Sequence, residues 1–311
     1  MIYVEHLSKS YGRHPAVEEL SFHIGAHETV GFLGKNGAGK STTMNMLTGF
    51  LAPTSGQIMI HGEDMAQDPE RAKAHLGYLP EVPPLYPALT VEEYLRYACA
   101  LKRVRRGRVK GHIDEVCEKT GLTQVRGRLI ANLSKGYRQR VGLANALVGS
   151  PEIIILDEPS VGLDPQQMME MRACIRSLRS EHTVMVSSHI LSEIEQICTR
   201  VIIIDKGRMV AQRTLDHLDA DDGILIYRLR VTGSAEQASE KLRALGIAAQ
   251  SESQDSLELR LPTERRDELL IRTHAALAEM GCILLGMTEP ENSLEKVFIR
   301  LTAGGEECAD A

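Results

Sequence analysis

The stretch Gly34-Lys-Asn-Gly-Ala-Gly-Lys-Ser41 limits what this chain can fold into more than any other. It follows the apolar run Thr29-Val-Gly-Phe-Leu33 and leads into a helical stretch, Thr42 to Leu47. A glycine-rich turn between a buried strand and a helix commits its surroundings to an α/β layout. The glycines let backbone N–H groups turn inward, and the helix start behind them adds positive dipole. Such a cradle fits phosphate. Lys40 would reach the β- and γ-phosphates of a nucleoside triphosphate, and the Ser41 hydroxyl would hold Mg2+. A plain glycine-rich turn is the competing reading, and the strand–loop–helix context argues against it.

Residues 1 to about 220 repeat this grammar. The runs Ile153-Ile-Ile-Leu156, Val184-Met-Val-Ser187 and Val201-Ile-Ile-Ile204 are continuously apolar and alternate with helical patterns. That pattern predicts a mostly parallel sheet buried on both faces. Residues from about 85 to 150 read as a helical subdomain inserted into this core. Open α/β sheets bind ligands beyond the carboxyl ends of their strands. Asp157 and Glu158 stand there in Ile153-Ile-Ile-Leu-Asp-Glu-Pro159, the first suited to Mg2+ and the second to polarising water as general base. Solvated acids at a turn are the bland alternative, and the phosphate loop decides between the two. His189, in Val184-Met-Val-Ser-Ser-His189, reaches the same edge, where an imidazole can contact a γ-phosphate and position water. A lone histidine is more often structural, and His189 gains weight because its strand should lie beside that of Asp157.

The chain is 43% hydrophobic and 25% charged, as in a soluble globular protein, and its net charge of −6 gives no pull toward nucleic acid or anionic membrane. Its six cysteines lack metal-ligand spacing and suit a reducing cytoplasm. No apolar stretch approaches the ~18–20 residues that span a bilayer, and Met1–Gly12 lacks the charged-then-apolar pattern expected of a signal peptide. A cytoplasmic protein, peripheral to the membrane through a partner, is expected. The basic run Lys102–Lys110 has no interleaved aromatics and reads as a solvated loop.

Residues 216–223 form an acidic, turn-rich linker. From 224 to 302 the pattern changes to a small α+β domain. Strands are predicted at Ile224–Val231, Ile247–Gln250, Leu257–Leu261 and Cys282–Met287. Helices are predicted at Ala235–Leu245, Glu264–Met280 and Ser293–Leu301. Strand-helix-strand-strand-helix-strand is the ferredoxin-like order. Residues 303–311 read as a flexible tail. No catalytic constellation falls in this second domain.

Together these motifs resemble the nucleotide-binding subunit of ABC transporters over residues 1 to about 215. Gly34–Ser41 matches Walker A, Ile153–Glu158 matches Walker B, Ser160-Val-Gly-Leu-Asp164 matches the D-loop, and His189 matches the switch histidine. Leu133-Ser-Lys-Gly-Tyr137 matches the ABC signature, departing from Leu-Ser-Gly-Gly-Gln at the third and fifth positions. By itself the signature stretch reads as a turn, Leu133 to Gly136, running into a helix.

The resemblance implies a P-loop NTPase fold and binding of ATP with Mg2+. ATP would be contacted by Tyr11, Gly34, Asn36, Gly37, Ala38, Gly39, Lys40, Ser41 and Thr42. In a head-to-tail dimer, homo- or heteromeric, Ser134, Gly136 and Asp164 would reach the other subunit's ATP. Mg2+ would be held by Ser41, Asp157 and Glu81, and catalysis would rest on Glu158, His189 and Lys40. Tyr11 matches the aromatic that stacks on adenine, although by itself it reads as an edge aromatic. Glu81, in Tyr78-Leu-Pro-Glu81, stands where the family usually has glutamine; it keeps an oxygen ligand and adds a negative charge.

The combination of Leu-Pro-Glu, Leu-Ser-Lys-Gly-Tyr, Gly162-Leu-Asp-Pro165 and the closing Glu289-Pro-Glu-Asn-Ser-Leu-Glu-Lys-Val-Phe298 is similar to exporter ATPases of the drug-resistance, polysaccharide-export and gliding-motility type. This implies a subunit powering export through separate integral-membrane permease subunits, with no nucleic-acid partner. The alternative is a non-transport ABC ATPase acting on ribosomes or DNA. Translation-factor members usually carry two cassettes, and this chain has one phosphate loop. A scaffold with degenerate chemistry is disfavoured because Lys40, Asp157, Glu158 and His189 are all present.

Overall fold

The computed structural model describes residues 1–215 and 224–288, with Leu294, Phe298, Ile299 and Thr302 beyond them. The chain divides into two compact units, Met1–Leu215 with Leu301–Ala311, and Asp216–Arg300. The linker expected at 216–223, most of the helix expected at 293–301 and the tail at 303–311 lie outside the described residues.

The first unit opens with two long strands, β1 (Ile2–Tyr11) and β2 (His14–Ile24). β3 (Thr29–Gly34) leads through the glycine-rich loop into α1 (Lys40–Leu47). β4 (Ser55–Ile60), β5 (Glu63–Asp64), α2 (Pro69–Ala74) and β6 (Leu76–Leu79) follow. The region expected to be helical contains α3 (Val91–Leu101), α4 (Val109–Lys119) and α5 (Lys135–Leu147). The unit continues with β7 (Ile153–Asp157), α6 (Pro165–Leu178), β8 (Thr183–Ser188), α7 (Leu191–Ile197), β9 (Arg200–Asp205) and β10 (Arg208–Thr214).

Each apolar run of the sequence is a strand of one sheet, in the order β10-β9-β3-β8-β7-β6. Its strands pair in parallel except for β10, which lies antiparallel on the edge. Every residue of β3, β7 and β8 is buried, as expected of strands covered on both faces. The pairing Leu33↔Ser188 and Asp157↔Ser187 aligns the carboxyl ends of β3, β8 and β7. The expected adjacency of the His189 and Asp157 strands is therefore present.

A second sheet, β2-β1-β4-β5, is antiparallel and was not anticipated in a mostly parallel layout. It buries one face only. Ile2, Val4 and Leu7 of β1 and Leu20, Phe22 and Ile24 of β2 turn inward, and intervening residues such as Tyr3, Glu5 and His23 stay exposed. The inward set joins Met44 and Leu47 of α1 and Phe32, Ile155 and Ile202 of the central strands in one core. Each such side chain contributes about 1.5–3 kcal/mol by burial. α1 is thus held against apolar surface behind the phosphate loop.

The basic run Lys102–Lys110 is exposed apart from the half-buried Val104 and Val109, but only part of it is loop: Arg106–Arg108 form a 3-10 turn, and Val109 and Lys110 open α4. Lys102 Nζ donates to the carbonyls of Leu76 at 2.8 Å and Lys73 at 3.3 Å.

The second unit runs β11 (Ile224–Val231), α8 (Ala235–Ala244), β12 (Ala248–Ser251), β13 (Ser256–Pro262), α9 (Arg266–Glu279) and β14 (Leu284–Thr288). Its sheet has the order β12-β13-β11-β14 with every pair antiparallel. Tyr227, Leu229, Leu257 and Leu259 pack there against Leu242, Leu269 and Leu277. Thr302, placed by the sequence pattern at the end of this domain, belongs instead to the first unit. It is buried, and its carbonyl accepts from Lys35 Nζ at 3.3 Å.

Candidate functional site

The phosphate loop is shaped by two glycines with positive φ, Gly37 at 82° and Gly39 at 102°. A Cβ on Gly39 would lie 2.6 Å from the Ala16 carbonyl oxygen, so no larger residue fits. Gly39 caps α1, which begins at Lys40. Lys40 is only 8% exposed. Its Nζ donates to the carbonyls of Gly34 at 2.7 Å and Lys35 at 3.3 Å, curling the side chain back over the loop. A cavity of about 480 Å³ opens above it. Asn36, Gly37, Gly39, Lys40, Ser41 and Thr42 line this cavity, together with Glu81, Glu158 and His189. Gly34 and Ala38 are buried beneath the loop.

The opposite wall comes from Glu158 and His189, which directly follow β7 and β8; Asp157, the last residue of β7, is buried behind them and does not itself line the cavity. Asp157, 6% exposed, accepts a hydrogen bond from Ser187 Oγ. Burial raises its carboxyl above the usual range, and the charges of Glu158 and Glu81 add to this. The Ser187 hydrogen bond and Lys40 oppose the shift only in part. A buried acid crowded by two other acids is suited to a hard divalent cation, and the Ser41 hydroxyl supplies a further oxygen.

Glu158 follows with φ 48°, a left-handed conformation unusual for a residue with a side chain. Its N–H is tied to Ser187, to the carbonyl at 3.2 Å and to Oγ at 3.0 Å. This turn sends the two acids apart. Asp157 faces Ser187, whereas Glu158 Oε2 lies 2.7 Å from His189 Nδ1. The result is a carboxylate oriented by an imidazole at the cavity wall, the geometry of a positioned general base.

Two further residues support this wall and escaped the sequence reading. Ser187 holds both Asp157 and the Glu158 backbone. Glu193 of α7 is buried, with Oε2 3.5 Å from Ser188 Oγ, and burial raises its carboxyl too. The available signal was polarity in apolar surroundings: two serines ending a buried strand, then an acid on the inward face of a helix.

The signature stretch requires a correction. It is not a turn from Leu133 to Gly136. Ser134 is the N-cap of α5, its Oγ accepting from the Tyr137 N–H at 3.3 Å, and Lys135 and Gly136 form the first helical turn. The capping serine fixes the helix start before the glycine can act as a breaker. Gly136 is buried, and a Cβ there would lie 2.5 Å from Gln167 Oε1. Lys135 Nζ covers Gly162, 2.1 Å from where a Cβ would stand. Asp164 N-caps α6 by accepting from the Gln167 N–H at 2.9 Å. Tyr11 is 52% exposed at the end of β1, with Lys9 Nζ 5.7 Å from its ring centre. Tyr11, Ser134, Gly136 and Asp164 do not line the cavity formed by the phosphate loop.

Residues 17–161 match a family model described as ABC transporter. The chain is 35% identical to the bacitracin transport ATP-binding protein BcrA of Bacillus licheniformis, over 96% of either chain. It is 32% identical to the linearmycin resistance ATP-binding protein LnrL of Bacillus subtilis strain 168, over 97% of this chain and 98% of that one. Among solved structures, it resembles a dimeric, post-hydrolysis state of the ATP-binding cassette MJ0796 bound to ADP and Pi. The TM-score is 0.63 at 23% identity, covering 69% of this chain and 99% of that one.

Proposed function

The chain belongs to the family of ABC transporter ATP-binding proteins and is an ATPase, and we propose that it powers export through a separate membrane permease by closing as a dimer on ATP. The observation that carries this reading is the single cavity in which the phosphate loop faces the Glu158–His189 pair. Export is supported by the relatives, one named for bacitracin transport and one for linearmycin resistance. Among the described residues no helix is long and apolar enough to cross a membrane, so the passage itself is assigned to the permease.

In this mechanism the loop N–H groups and the start of α1 bind the triphosphate. Lys40 exchanges the carbonyls of Gly34 and Lys35 for β- and γ-phosphate oxygens. Ser41, Asp157 and Glu81 would hold Mg2+, which when bound neutralises phosphate charge and polarises the γ-phosphoryl group. Glu158 takes a proton from the attacking water, while His189 Nδ1 keeps its carboxylate aimed at the cavity. Tyr11 stacks on the adenine. Ser134, Gly136 and Asp164 complete the site of a second copy, as expected of residues that do not line their own cavity. The dimeric state of the cassette MJ0796 supports this arrangement.

Glu158→Gln tests the proposal. Phosphate release from Mg-ATP should fall by about 10²–10⁴-fold, the usual contribution of a general base. ATP binding should persist, and a dimer should accumulate in size-exclusion chromatography with light scattering. A variant that stays monomeric at saturating Mg-ATP would contradict dimer closure. One that turns ATP over at the parent rate would remove Glu158 from the chemistry.

A further inference from the structure

We propose that His61, His75 and Glu152 form a binding site for a first-row divalent cation of the Zn2+ and Ni2+ class, at the end of the central sheet opposite the phosphate loop. One ligand atom from each residue lies within 4.8 Å of the others. The backbone fixes this arrangement from three sides. His75 and Glu152 immediately precede β6 and β7, neighbouring parallel strands paired at Leu76↔Ile153. The Ile153 N–H donates to the His75 carbonyl at 3.1 Å, and the Glu152 carbonyl accepts from the Thr183 N–H at 2.8 Å. The two side chains meet at the amino ends of these strands, His75 Nδ1 lying 2.9 Å from Glu152 Oε2.

His61 arrives from the other sheet. With Gly62 it forms the two-residue turn between β4 and β5, and both residues have positive φ, 52° and 89°. Such turns favour asparagine, aspartate or glycine at the first position. A histidine there accepts backbone strain and projects an imidazole beside the sheet. The His61 N–H is held by the Met1 carbonyl at 2.9 Å. Its ring stacks on that of His75 with centres 4.4 Å apart and planes 18° apart.

Two imidazoles and one carboxylate make an N2O donor set. That set selects Zn2+, Co2+, Ni2+ or Cu2+ over Mg2+ and Ca2+, which prefer oxygen alone. Drawing the ligand atoms onto one ion takes only side-chain rotation of exposed or half-exposed groups. Three protein ligands leave a position for water. Because His61 lies on the antiparallel sheet and His75 and Glu152 on the central one, a bound ion joins the two sheets of the first unit. Binding to the folded form alone then raises its stability by mass action.

The test uses the full chain without a histidine tag and without nucleotide, since ATP chelates divalent cations. Co2+ serves as the spectroscopic probe and Zn2+ as the calorimetric titrant. The expected result is one saturable ion per chain, visible d–d bands without thiolate-to-cobalt absorption, and a thermal midpoint raised by Zn2+. His61→Asn suits the left-handed turn and removes the imidazole. It should weaken binding at least tenfold and abolish the Zn2+ shift, with Mg-ATP hydrolysis unchanged. Glu152→Gln should weaken binding in the same direction. Absence of saturable binding, a thiolate band placing the ion on cysteine, or undiminished affinity in His61→Asn would each overturn the proposal.

Discussion

Asp157 carries a conflict that its neighbours do not resolve. Burial and the charges of Glu158 and Glu81 raise its carboxyl above the ordinary value, so the folded chain binds that proton more tightly than the unfolded chain. Linkage then fixes the sign. The ionised form subtracts from stability as pH rises from the ordinary aspartate range through the raised folded value, and below that range nothing is subtracted. Asp157→Asn should therefore raise the thermal midpoint of the nucleotide-free protein at pH 7, and the gain should vanish as pH falls toward 4. Melting curves across that range, with parent and variant side by side, check it; a variant less stable at pH 7 would contradict the account. Mg-dependent hydrolysis should fall at the same time, since a strained or charged site is commonly held at the expense of stability. The placement of Lys40, Glu158 and His189 around one cavity, with Asp157 buried beside them, was legible in the sequence because loop, strand and spacing restrict where they can lie. Ser187 and Glu193 were not. Their roles exist only once β8 pairs with β7 and α7 folds over it.

Elements differ in how much of their environment is local. β3, β7 and β8 were legible because both faces are covered and the whole run is apolar. β1 and β2 bury one face, and the register of β1 shifts between Val4 and Leu7, between Leu7 and Lys9, and between Lys9 and Ser10. Those irregularities blur the alternation that marks a half-buried strand, and the other partner of β1, β4, lies far along the chain. Close approach between elements is equally invisible in sequence. Gly77 in β6 lies against α5, and a Cβ there would stand 2.0 Å from the Ala146 carbonyl oxygen and 3.0 Å from Pro151 Cγ. Backbone cannot yield as a side-chain tip can. Gly77→Ala should destabilise the first unit by about 1–3 kcal/mol or more, the range for overpacked sites. Gly107→Ala, with nothing within 4 Å of its Cβ, should stay within about 0.5 kcal/mol of the parent. Urea unfolding of the two variants compares them directly, and equal midpoints would mean that α5 shifts freely on β6.

At the scale of the whole molecule, the segments proposed to meet a second copy are already joined within one chain. Gly136 lies against Gln167 of α6, and the Lys135 ammonium covers Gly162, whose φ is 65°. The signature loop and the D-loop segment Ser160–Asp164 are therefore one surface, and in the proposed dimer they would approach the partner's ATP together. Lys135 stands at the third signature position, where the family usually has glycine. The structure gives it an intramolecular seat that sequence could not reveal, because Gly162 becomes its neighbour only through folding. Gly162→Ala tests what that seat does. The added methyl would strain a left-handed residue and occupy the lysine's position. None of the cavity-lining residues is changed, so ATP affinity of the monomer should be preserved. In a Glu158→Gln background, ATP-dependent dimerisation should weaken about tenfold, equivalent to about 1.4 kcal/mol. Lys135→Gly should weaken it in the same direction, because the signature loop loses its tie to Gly162. If both variants dimerise as tightly as the Glu158→Gln parent in sedimentation velocity, the tie between the two loops has no part in closure, and Lys135 serves only to cover Gly162.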